Sequence, residues 1–68
     1  MCGGDMLVLH QAALVEVGDL VWNRDDLYRC YSVEPDAHNR RVRICLEACR
    51  WGDLAVPLTA LVPVERLS

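Results

Sequence analysis

The chain has no lysine and no phenylalanine, and aromatic residues make up only 6% of its 68 positions. All seven basic residues are arginine, a bias that points to a GC-rich coding sequence rather than to a mechanism. Basic charge is also in the minority. Ten acids leave a net charge of −3, against the basic balance of most nucleic-acid binders, whose affinity comes largely from phosphate neutralisation. No apolar run approaches the roughly 18 residues of a membrane span, so no membrane association is expected. The start, MCGGDMLVLH, holds an acid and no basic residue ahead of its short apolar stretch, a poor secretion signal. A cytoplasmic protein is expected, with its four cysteines as reduced thiols.

What is abundant is apolar surface, at 53% of residues. A chain this short makes one domain and buries only about 60% of the surface its unfolded form exposes. Part of that apolar surface has nowhere to go inside one small core, so a homodimer or higher homo-oligomer is expected.

Repeats and low-complexity segments are absent. Residues Met1 to Asp5 read as frayed, with Met6 as their only anchor. Leu7 to Val17 fits neither period: it can be a strand to Leu9 or a short helix through Ala12, Ala13 and Leu14, with a lean to extended structure near Val15 and Val17. Gly18-Asp19 introduces a strand from Leu20 to Asn23, and Arg24-Asp25-Asp26 makes a polar loop. Tyr28 to Glu34 is rich in aromatic and β-branched residues and predicts a second strand. Pro35 to Arg40 carries turn chemistry. Arg41 to Glu47 gives the cleanest alternation, with Val42, Ile44 and Leu46 on one face. Leu54 to Val56 and Val62 to Val64 predict two more strands, joined by a tight helical turn over Pro57 to Leu61. The division expected is an extension over residues 1–14 and a small all-β domain over 15–68.

Pairing Glu34 with Arg41 sets a six-residue loop and places Val33 opposite Val42 and Tyr31 opposite Ile44 on the inner face. Cys30 then lies opposite Cys45 on the outer face. Apolar pairs inside and an opposite-charge pair outside suit a half-buried hairpin. The expected core is Val42, Ile44 and Leu46 with Val21, Val33, Val56 and Leu61.

VGDLVW at Val17 to Trp22, LYRC at Leu27 to Cys30 and VPLTALVPV at Val56 to Val64 resemble the Tudor branch of Src-homology-3-like barrels. The likeness covers residues 17–64 and implies a five-stranded Src-homology-3-like barrel with a short N-terminal extension. It further implies a groove or aromatic cage for methylated lysine, methylated arginine or a peptide, with Tyr28 at a cage-like position and Trp22 and Trp51 as neighbours. The paired aromatics and glycine that the family often carries after its third strand are here Leu46-Glu47-Ala48-Cys49. The family packs an alanine inward where this chain has Cys30. Similar phrases occur in small plasmid- or integron-carried proteins. The closing segment also resembles type II plasmid dihydrofolate reductases, tetrameric barrels around a shared pore. Leu54, Ala55 and Val56 replace the Gln-Ile-Tyr run that holds substrate in that family.

Trp22, Tyr28, Tyr31 and Trp51 either form a binding surface beside Asp25, Asp26 and Asp53, favouring a cationic ligand or peptide, or fill a core without phenylalanine. In the register above Tyr31 faces inward. Arg29, Arg41, Arg43 and Arg50, with Arg40, crowd into one hairpin region and supply the alternative, a nucleic-acid surface, although Glu34, Asp36 and Glu47 lie among them. Cys45-x-x-x-Cys49 with Cys30, Cys2, His10 and His38 lacks the paired spacing of zinc sites, so no metal or other cofactor is expected. His10 and His38 have no glycine-framed nucleophile beside them, and no catalytic residue is assigned. The reading is a small non-enzymatic binding or adaptor module that self-associates. An enzyme built by identical subunits around a shared pore is the third possibility.

Overall fold

The computed structural model describes residues 7–65. The frayed start expected for Met1 to Asp5, together with Cys2 and Met6, lies outside them. The described residues form a small all-β domain of six strands: β1 Val8–Gln11, β2 Leu20–Asn23, β3 Asp26–Asp36, β4 Arg41–Leu46, β5 Leu54–Pro57 and β6 Leu61–Glu65. They make one antiparallel sheet in the order β1-β6-β2-β3-β4-β5, which hydrogen bonds do not close into a barrel. No helix among the described residues is long and apolar enough to cross a membrane.

The ambiguous N-terminal segment takes both of its options. Val8–Gln11 pairs with β6, and Ala12–Leu14 forms a 3-10 helix. That helix docks across the turn between β5 and β6: the Ala12 amide donates to the Ala60 carbonyl at 2.7 Å and the Ala13 amide to the Leu58 carbonyl at 3.1 Å. No strand forms at Val15 or Val17, because the chain turns over Glu16 to Asp19. The buried Asp19 accepts the Glu16 amide at 2.8 Å. Gly18, at a φ of 98° that favours glycine, donates its amide to the Cys30 carbonyl at 2.8 Å. Pro57 to Leu61 is a single tight turn closed by Ala60 N–H to Pro57 C=O, not a helical one.

The long strand β3 bends the sheet. Its first residues pair with β2, from Asn23↔Asp26 to Leu20↔Arg29, and the rest with β4. Between Cys30 and Ser32 the register slips by a bulge at Tyr31. An extra residue at such a point raises the local twist and lets a strand turn a corner.

The hairpin register differs from the expected one. Arg41 faces Asp36 rather than Glu34, Val33 faces Ile44, and Ser32 faces Cys45. The strand runs on through Pro35 and Asp36, and residues 37–40 make the turn. Proline is accommodated because β3 beyond Cys30 has a neighbouring strand on one side only. Asp36 holds the turn, accepting the Asn39 backbone amide at 3.3 Å and its side-chain amide at 2.8 Å. The bulge also exchanges two expected positions. Cys30 points inward and is fully buried, whereas Tyr31 is 53% exposed.

The core is Ala12, Val15, Val21, Cys30, Val42, Ile44, Leu46, Val62 and Val64, with Val33 and Val56 packed partly against it. Leu61 was expected inside and is exposed. Val62 and Val64 take the inward positions of β6, and a period of two sends Leu61 to the other face.

Candidate cation-binding site

The site is assembled by two loops from opposite parts of the sheet. The first joins β2 to β3. Asp25 N–H donates to Asn23 C=O at 2.8 Å, with Arg24 between them at a φ of 67°. An i to i+2 bond around a positive φ is a γ-turn, a conformation in which a residue other than glycine is strained. The second is the loop from Glu47 to Asp53, which carries Arg50 and Trp51. Asn23, buried at the end of β2, donates its side-chain amide to Cys49 Sγ at 3.5 Å and so ties the loops together.

Asp25 is the centre. Its Oδ1 accepts the Tyr28 hydroxyl at 2.8 Å and the Trp51 indole N–H at 3.1 Å. Arg50 Nε approaches Oδ2 at 4.0 Å. The hydrogen bond from Tyr28, then that from Trp51, hold the Asp25 carboxyl below its ordinary range. The same bond, aided by desolvation, pushes the Tyr28 phenol up to about 12. Arg24 lies over the Trp51 ring with its guanidinium carbon 4.7 Å from the centroid. This separation is within the roughly 6 Å over which an aromatic face attracts a cation.

Of the residues singled out in the sequence, Asp25, Tyr28 and Trp51 come together. Trp22 does not join them. It faces Leu27 across the β2–β3 ladder, while Tyr28 faces the buried Val21, so Trp22 and Tyr28 lie on opposite faces of the sheet. Asp26 turns back to its own strand and accepts the Leu27 amide at 2.7 Å. Sequence reasoning missed Arg24 and Asn23. The only available signal was their adjacency to Asp25, because their partners, Trp51 and Cys49, are distant in the chain.

The arginines of the alternative surface each stand near an acid, two of them in an ion pair. Arg29 meets Glu47 at 3.8 Å and Arg50 meets Asp25. Arg43 faces Glu34 and Arg41 faces Asp36, lining with them a groove of about 330 Å³. Arg41 also donates to the Ala55 carbonyl at 3.0 Å. The described residues contain no cluster of three His, Cys, Asp or Glu side chains able to hold a metal ion. Cys30, Cys45 and Cys49 are free thiols. In comparisons with family models, curated proteins and solved structures, nothing matches this chain.

Proposed function

We propose that this chain is a small non-enzymatic binding module that takes a cationic group, carried by a peptide, onto the face of Trp51 that Arg24 now covers. The observation that carries the reading is the Arg24 guanidinium over that ring, beside a carboxylate already oriented by Tyr28 and Trp51. The chain's own cation occupies the place a ligand cation would take, and both groups attract it for the same reasons, the ring quadrupole and the nearby negative charge. The interleaving of acids among Arg29, Arg41, Arg43 and Arg50 supports this reading over a nucleic-acid surface, since phosphate tracking needs uncompensated positive charge. The finer fold belongs to the same proposal: the bent sheet is a Src-homology-3-like barrel of Tudor type, in which the β3 bulge makes the corner and the 3-10 helix bridges the open side.

The test is a fluorescence titration of the Trp22→Phe variant, in which Trp51 is the only tryptophan, with peptides bearing arginine, methylated arginine or methylated lysine. Arg24→Ala should bind more tightly than its parent, because the ring face is vacated, and Trp51→Ala should not bind. Failure of Arg24→Ala to bind any of these peptides would remove the proposal.

A further inference from the structure

The surface around Trp22 is of a different kind from that around Trp51. Val21, Val62 and Val64 point into the core from β2 and β6. Their neighbours along each strand therefore point outward. On that outer face Leu9 of β1 is paired with Pro63 of β6, and Trp22 of β2 with Leu27 of β3. Since Val64 faces Val21, Pro63 and Trp22 stand at one level, and the four residues make an apolar row across four strands. Leu61 and Leu20 extend it on either side. Leu9 is 59% exposed, Leu61 60% and Trp22 39%.

Strand sequences agree with the geometry. β6 opens LVPV and β2 opens LVW, apolar on both faces, the pattern of strands covered on both sides. With four strands about 4.8 Å apart and rows about 6.8 Å apart, the face measures roughly 20 Å by 15 Å. That is the scale of the largest apolar patch on a typical monomer, a patch that is often functional.

We infer that this outer face of β1, β6, β2 and the start of β3 packs against the same face of a second copy. The occupant follows from self-complementarity. A two-fold axis running along the strands between β6 and β2 keeps each row at its level and reverses strand order. Pro63 then meets the other copy's Trp22, and Leu9 meets its Leu27. The next row reads Glu65, Leu20, Arg29 across β6, β2 and β3. The same axis brings each Glu65 within one strand's width of the other copy's Arg29, whose own ion pair with Glu47 is exposed to solvent, so opposite charges face each other at the rim. The face is smaller than the roughly 800 Å² per partner of a standard interface, which makes the dimer concentration-dependent.

Sedimentation equilibrium of the full chain over low to high micromolar concentrations tests this. The expected mass rises toward twice the 7.7 kDa of one chain. The single tryptophan of Trp51→Phe, which is Trp22, should blue-shift in parallel. The exposed substitutions Leu9→Arg and Leu61→Glu should each weaken association by about tenfold or more, with circular dichroism unchanged. Val17→Glu, in the Glu16 to Asp19 turn outside these strands and 65% exposed at the parent residue, should leave association intact. A chain monomeric throughout would overturn the inference. So would a dimer that survives Leu9→Arg with Leu61→Glu, or a Trp22 blue shift produced by neutral phosphatidylcholine vesicles on a chain that stays monomeric.

Discussion

The two halves of the sheet obey different rules. In β4 the order Arg41, Val42, Arg43, Ile44 alternates charge with core, and its outer arginines face Asp36 and Glu34 of β3. In β6 and β2 apolar residues occupy both faces. An inward valine is explained in either half by the same core. An outward leucine or tryptophan is not explained by that core. The proposed self-association rests on the apolar-faced half alone, and the proposed cation site lies at the edge of the other.

The largest expected effect tests the shared core. Ile44→Ala, in a side chain with no exposed surface, should destabilise the domain by about 2–5 kcal/mol, the range for deleting buried aliphatic groups. Urea unfolding measures it, and a variant as stable as the parent would break the strand assignment.

Thiol reactivity tests the bend between the halves. Burial raises the Cys30 and Cys45 thiols above their ordinary range, and both side chains are buried. Under native conditions both should alkylate more slowly than Cys49, with the difference lost in denaturant, as peptide mass spectrometry would show. Rapid native labelling of Cys30 would place it outside and remove the bulge.

Titration probes the join itself, where the β2–β3 turn meets the β4–β5 loop. In Tyr31→Phe the remaining tyrosine is Tyr28, and tyrosinate absorbance should show it ionising near 12 rather than 10.0. Asp25→Ala should return it toward 10.0. Because the folded value is raised, the stabilisation from the neutral phenol is complete below pH 10.0 and is lost as pH climbs toward 12. Asp25 has the opposite sign: its lowered value stabilises above pH 3.8, and that contribution fades as pH falls further.

The smallest effect sharpens the comparison most. Leu61→Ala, measured in solution dilute enough to be monomeric, should change stability by no more than about 0.5 kcal/mol, as exposed positions do. A loss as large as that of Ile44→Ala would put Leu61 back in the core and erase the difference between the halves.

Much of this was legible along the chain. The β2 boundaries follow from Gly18-Asp19 and the polar Arg24-Asp25, and β4 follows from its alternation. Val42, Ile44 and Leu46 were identifiable as core by period alone. The hairpin shows where pattern reading fails. Shifting Glu34's partner from Arg41 to Arg43 moves the register by two residues, and a period of two cannot detect that, because every side chain keeps its face. The bulge adds a single residue, and that does change faces, sending Cys30 in and Tyr31 out. No local preference distinguishes the two at that point.

The sequence by itself determined the fold class and the existence of most strands, because these rest on alternation, β-branched content and turn residues within a few positions of one another. It also determined that apolar residues exceed what one small core can hold. Only the tertiary structure decided which of them are left outside. Leu61 and Trp22 look like core residues in isolation, and their exposure follows from which neighbours point inward on strands paired far along the chain. The same holds for the site. Arg24, Asp25 and Tyr28 are close in sequence, but Trp51 reaches them only because the bend in β3 brings the β2–β3 turn against the β4–β5 loop. Cation–π contact and a shared carboxylate act over a few ångströms, a distance that sequence separation does not encode.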